Sequence, residues 1–164
     1  MIHRVFRATP ALSIVLAAVV TAFAQSAGRL PRDFENFLKQ SDVAQVEMQQ
    51  GNAAAYKALW SHGEDVTLSG GFGGKVEKGW ANVSERLDWA ASQFNKGTNT
   101  KERISAYADG RLGYLVQLEH IKFKSPSGAD TTRDFRVTMV FRKEHGKWRI
   151  LHRHADGQTA KVGA

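Results

Sequence analysis

Three residues near the C-terminal end, His152, His154 and Asp156, stand two apart in the run GKWRILHRHAD. In an extended strand, residues two apart project from the same face. Two imidazoles on one face can exchange protons near neutral pH, because histidine titrates there. A carboxylate beside the second imidazole can orient it. The same spacing is a ligand pattern for zinc or a similar ion. Alternate histidines also line cavities without any metal, and that simpler reading is kept. It makes His152 and His154 pocket histidines and Asp156 a rim residue, with no metal and no other cofactor expected.

Further side chains join this set by their expected positions. His62 follows a helix-like segment and precedes a strand, where it either caps the helix C-terminus or enters a cavity. Tyr114 and His120 fall in a second strand run, and Trp80 opens a helix-like segment. The expected acid/base pair is His152 and His154, assisted by His62 or Tyr114. The expected ligand wall is Trp80, His120, Val137, Met139, Phe141, Trp148 and Asp156.

The elements that must position these residues follow from periodicity. Phe34, Phe37, Leu38, Ser41, Ala44 and Met48 recur at helical spacing and form one stripe. Gly51-Asn52 ends that helix and caps a second one over 53–60. Alternation in Asp65-Val66-Thr67-Leu68 predicts a strand. The next loop, Gly70-Gly71-Phe72-Gly73-Gly74, lacks the Gly-Lys-Ser/Thr of a phosphate cradle, since Lys75 is followed by Val76. It reads instead as a close-packed or mobile loop beside a pocket. Trp80, Val83, Leu87, Ala90, Ala91 and Phe94 make a third helical stripe. From Lys101 onward the period becomes two, with turns at Asp109-Gly110, Ser125–Asp130 and Glu144-His145-Gly146. Helices followed by an antiparallel meander define an α+β domain.

Pairing the strands sorts their faces. A tight last turn sets Phe141 opposite Ile150, Met139 opposite His152 and Val137 opposite His154. An uninterrupted register in the preceding hairpin sets Leu118 opposite Val137 and Tyr114 opposite Phe141. One face then carries Tyr114, Val116, Leu118, His120, Phe135, Val137, Met139, Phe141, Trp148, Ile150, His152 and His154. The helices are expected to cover that face. Gln117, Glu119, Arg136 and Arg153 fall on the other, with Glu119 facing Arg136 as a cross-strand ion pair.

Composition bounds the function. The 164 residues carry no cysteine, so no disulfide framework and no thiol chemistry are available. His3, Arg4 and Arg7 precede an uncharged apolar run of 14 residues, Ala11 to Ala24, which is short of the roughly 20 a spanning helix needs. With Ala22 and Ala24 at the small-residue positions, this is the layout of a secretory signal cut after Ala24. The expected organisation is a signal over 1–24, a linker over 25–32, one domain over 33–157 and a tail over 158–164. Loss of the signal lowers Lys plus Arg from 23 to 21 against 16 acidic residues, leaving +5. No element clusters that charge, so no nucleic-acid partner is expected. The expected location is periplasmic or secreted.

The element order, Leu59-Trp60-Ser61-His62 before Asp65-Val66-Thr67-Leu68, the Gly79-Trp80 helix start and GKWRILHRHAD together resemble the SnoaL-like branch of the nuclear transport factor 2-like superfamily. The resemblance runs from Phe34 to Asp156. It implies a strongly curved antiparallel sheet wrapped as a cone around about three N-terminal helices, with a cavity between. It also implies homodimers formed through the outer sheet face. Members include cyclases, steroid isomerases, dehydratases and epoxide hydrolases. The cyclases and isomerases use a cavity aspartate, which the expected inner face lacks; its histidines and Tyr114 are closer to a dehydratase inventory. Two functions follow as expectations. One is an exported enzyme moving protons on a small, largely apolar substrate. The other is a module that binds such a molecule without chemistry, or that serves dimerisation.

Overall fold

The computed structural model describes residues 29–158. The expected signal over 1–24 and the end of the tail lie outside the described residues. Helix α1, Arg32–Gln49, starts after Pro31 with Asp33 and Glu35 in its first turn, where carboxylates complement the helix dipole. Its stripe is buried as the spacing predicts, and Gln45 and Gln49 are buried with it. Asn52 caps the next helix by accepting from the Ala54 N–H at 3.0 Å. That helix, α2, covers only Ala54–Lys57, shorter than the expected 53–60. Trp60 instead bridges Ile150 in parallel, and Ser61 N donates to Ile150 O at 2.9 Å. The sheet edge competes for that backbone and wins.

Strands β1 (Thr67–Ser69) and β2 (Glu77–Lys78) flank the glycine loop, and α3 spans Trp80–Ser92. Four long strands follow: β3 (Asn95–Ala108), β4 (Leu112–Lys124), β5 (Asp130–Glu144) and β6 (Lys147–Gly157). They form one curved, unclosed sheet in the order β2-β1-β6-β5-β4-β3, with the helices on its concave face. The expected meander is present as β3 to β6. The sheet is mixed, however, because β1 runs parallel to β6.

Two single-residue features set which side chains face inward. Between β5 and β6, Phe141 pairs with Ile150 but Val140 pairs with His152, leaving Leu151 as a bulge. One extra residue reverses the alternation beyond it. Trp148 and Ile150 therefore stay inside, but Arg153 and Ala155 take the inner positions expected of His152 and His154. Between β4 and β5, a five-residue loop over 125–129 pairs Lys124 with Asp130, so Leu118 meets Arg136 and Gln117 meets Val137. That slip turns Tyr114, Val116, Leu118 and His120 outward, and Leu115, Gln117, Glu119 and Ile121 inward. The expected Glu119–Arg136 pair is thereby replaced. Glu119 is buried, and Arg136 binds Asp156 on the outer face at 2.6 and 3.1 Å.

Phe135, Val137, Met139 and Phe141 point inward as expected and are buried. At one end of the concave face, Phe34 of α1 packs on Phe141 and Trp148, with ring centroids 5.2 and 4.7 Å away. Near the opposite end, the C-terminus of α1 presses on β3. A Cβ at Gly97 would collide with the Gln49 carbonyl oxygen, which explains glycine there.

Candidate functional site

The concave face leaves a cavity between the C-terminal half of α1, the side of α3, the glycine loop and β4 to β6. Met48, Leu68, Phe72, Leu87, Ala90, Phe94, Ile121 and Phe135 form its apolar wall. Gln45, Gln49 and Arg153 are its buried polar members, and Arg86 stands at the rim. Its volume is about 40 Å³, enough for one or two waters and far below the several hundred Å³ of a typical ligand pocket.

Phe72 accounts for the small volume. It is the one side chain of size in the loop Gly70–Gly74, and its half-buried ring fills the mouth. Phe94, Trp89, Phe135 and Phe123 surround it at centroid distances of 5.2, 5.7, 6.3 and 6.4 Å. The pairs with Trp89, Phe135 and Phe123 are edge-to-face, a favoured geometry for aromatic rings, and the pair with Phe94 is tilted. The loop comes so close that a Cβ at Gly71 would lie 2.7 Å from the Phe135 ring. The sequence-based expectation of a glycine loop beside a pocket therefore holds. Arg86 donates to the Gly73 carbonyl at 2.7 Å and lies 4.1 Å from the Trp89 ring centroid, which ties the loop to α3.

Beneath the apolar wall lies a buried ion pair. Arg153 Nη2 donates to Glu119 Oε2 at 3.0 Å and Nη1 to Oε1 at 3.3 Å. Gln45 and Gln117 each donate to the same carboxylate at 2.7 Å. Burial alone pushes the Glu119 carboxyl up, but Arg153, Lys101 and the donated hydrogen bonds outweigh it and hold it below its ordinary value. Burial pulls Arg153 down and Glu119 more than restores it. Burial raises the Tyr56 hydroxyl strongly, so it stays neutral beside the pair. With both carboxylate oxygens engaged and the guanidinium neutralised, the pair has no free base to offer a substrate. It is a polar floor rather than a proton shuttle.

The residues expected to form the site are dispersed. His152 is half-buried on the outer face, with Nδ1 2.8 Å from Thr67 Oγ1. Burial lowers its pKa, and the neighbouring His154 lowers it further, so the ring is neutral at pH 7. His154 is exposed beside it. His120 pairs with Asp134 at 2.7 Å, and Tyr114 stacks on Tyr107, both on the same outer face. His62 is exposed and stacks on half-buried Trp80 at 3.9 Å, outside the cavity. Val137, Met139, Phe141 and Trp148 face inward but lie in the solid core and do not line the cavity. Asp156 is held by Arg136 on the outer face. Among the described residues, no three His, Asp or Glu side chains converge on a metal site.

The cavity residues that sequence reasoning missed carried one faint signal. Gln45 and Gln49 interrupt an apolar helical stripe, and a polar residue on such a stripe is either exposed by fraying or deliberately buried. Glu119 and Arg153 carried none, because their facing depends on the bulge and the loop length.

The cone-like sheet, the three helices on its concave side and the cavity between them define a class, and residues 43–155 match the SnoaL-like domain family. The chain belongs to that family. No curated protein matches it. Among solved structures, one from Xanthomonas campestris, provisionally named a calcium/calmodulin-dependent protein kinase II association domain, is similar at TM-score 0.66 and 17% identity, over 82% of this chain and 95% of that one. A provisionally named dehydratase of the NTF2-like family from Streptomyces avermitilis is similar at TM-score 0.63 and 16% identity, over 77% and 99%. The association domain of the C. elegans kinase CaMKII is similar at TM-score 0.56 and 14% identity, over 76% and 95%. Similarity at this identity establishes the shared fold alone.

Proposed function

We propose that this chain is a binding protein for a small, largely apolar molecule, held in the cavity that Phe72 now fills. One observation carries the reading. An aromatic side chain on a four-glycine loop sits inside a cage of other aromatic rings, above a polar floor. Four glycines in five residues let the loop move at little steric cost, and withdrawal of one phenyl ring frees space for a ligand of comparable size. The ion pair below is internally satisfied, and the cavity wall has no histidine. Those two facts favour binding over the His-based proton transfer expected from the sequence.

Ligand-observed NMR with propylbenzene tests this reading. Phe72→Ala is expected to bind it more tightly than the wild type, and Ala90→Trp, which fills the cavity from α3, to abolish binding. No binding to either the wild type or Phe72→Ala sinks the reading.

The chain is further proposed to act outside the cytoplasm after cleavage behind Ala24, and to pair with a second copy through the outer sheet face. Support for pairing is an apolar strip of Tyr107, Tyr114, Val116, Leu118 and Val140 on that face, together with the association domains among the similar folds. Intact mass and light scattering of the exported chain test both; retained Met1 or a clean monomer overturns the respective proposal.

A further inference from the structure

We propose that the cavity takes a neutral molecule whose apolar body carries one head able both to donate and to accept a hydrogen bond, and that Gln49 reads that head. The inference rests on the ligand-binding reading above and narrows it to a chemical class.

Gln49 is the last residue of α1 and lines the cavity. It is 0% exposed, and neither its Nε2 nor its Oε1 has a hydrogen-bond partner. Buried carboxamides are ordinarily paired, because stripping water from an amide without replacing its bonds is unfavourable. The contrast with Gln45, one turn earlier on the same stripe, is direct. Gln45 is equally buried, but its Nε2 donates to Glu119 at 2.7 Å. The Gln49 backbone and Cβ are fixed in place, since they pack against Gly97 too closely for any side chain there. A buried, unpaired carboxamide on a cavity wall is a recognition element for a group with a donor and an acceptor, such as an amide or a hydroxyl.

The charges decide the rest. Arg153 is neutralised by Glu119, and Arg86 is held at the rim by the Gly73 carbonyl and the Trp89 ring. A ligand carboxylate or ammonium at Gln49 would be an unbalanced charge in a water-poor space, since neither the carboxamide nor the satisfied Arg153–Glu119 pair carries a net charge to meet it. A neutral head meets neither penalty. The apolar body would occupy the volume of the Phe72 ring, against Phe94 and Phe135.

The test compares three probes of similar size by calorimetry on the wild type and on Phe72→Ala: 2-phenylacetamide, phenylacetate and propylbenzene. The amide is expected to bind at least about tenfold more tightly than phenylacetate. Gln49→Met is expected to bring the amide down to the level of propylbenzene while leaving propylbenzene binding intact. Phenylacetate binding as tightly as the amide overturns the inference, and this comparison needs no Gln49 variant to fold. So does an amide preference that survives Gln49→Met, which would mean that water alone satisfies the carboxamide. Propylbenzene binding without any amide preference overturns this inference and leaves the ligand-binding reading standing. Failure of all three probes with both proteins removes both.

Discussion

The two faces of the sheet hold similar residue types in opposite circumstances. Each has an arginine–carboxylate pair: Arg153–Glu119 inside and Arg136–Asp156 outside. The inner pair has side chains 9% and 0% exposed, and two glutamines complete the carboxylate's bonds. The outer pair is 56% and 43% exposed and stands in water. The histidines expected in the cavity are all on the outer side or at its margin, where solvent screens them. Burial, not residue type, separates a recognition floor from an ordinary polar surface. What assigns burial here is one bulged residue and one loop length.

The largest test of that comparison exchanges residue types across β6. The combined change His152→Arg, Arg153→His and His154→Arg places arginine on the outer face and leaves Glu119 without a guanidinium in the core. The expected result is a chain without a cooperative unfolding transition in urea. A stably folded variant would show that the inner placement of Arg153 is incidental. Deleting Leu151, by contrast, removes only the bulged residue and keeps Ile150 and Arg153 inward, so the ion pair should survive it.

Next in size is the contrast between the two ion pairs. Arg153→Met leaves Glu119 buried and unpaired, which is expected to cost about 3–5 kcal/mol of stability. The double change Arg153→Met with Glu119→Leu should recover most of it, since the unpaired charge is the source of the loss. Arg136→Ala removes the exposed pair and should leave the urea midpoint unchanged within error. Equal effects at the two sites would contradict the assigned faces.

The smallest effects are in pH dependence, and the faces differ there too. Glu119 titrates in the folded state below its ordinary value of 4.5. Its contribution to stability is complete above that value and is lost as the pH falls through the folded one. His152 titrates below its ordinary 6.5, through burial first and His154 second. Its contribution is complete above 6.5 and declines as the pH drops toward the folded value, because the unfolded chain then binds the extra proton. Urea midpoints for the wild type and His152→Gln should therefore converge on acidification from pH 7 toward 5, with the acid limb below 4.5 retained in the variant. A pH profile in His152→Gln identical to that of the wild type throughout would remove the outer-face part of this account.

Much of the architecture was legible in the sequence because it rests on local rules. The α1 stripe, the Asn52 cap, the Asp109-Gly110 hairpin and the two-residue His145-Gly146 turn each depend on a few neighbouring residues. His145 and Gly146, both at positive φ (48° and 80°), supply the twist that such a turn demands. The inward rows Phe135 to Phe141 and Trp148 to Ile150 were legible too, since β5 alternates without interruption and Trp148 and Ile150 lie between the turn and the bulge in β6. The candidate site was mostly not legible. The glycine loop signalled a pocket, but the bulged Leu151 looks like any other strand leucine, and the turn over Ser125–Asp130 permits more than one register.

By itself, the sequence determined the element types, their order, the core of the last hairpin and the family. Those follow from periodicity and turn chemistry, which act over a few residues. The tertiary structure alone decided that Glu119 and Arg153 lie within and His152 and His154 without. That choice is collective. Glu119 is tolerable inside only because the bulge delivers Arg153 to it, and Arg153 only because the 125–129 loop delivers Glu119. Neither strand, taken alone, has a reason to bury its charge.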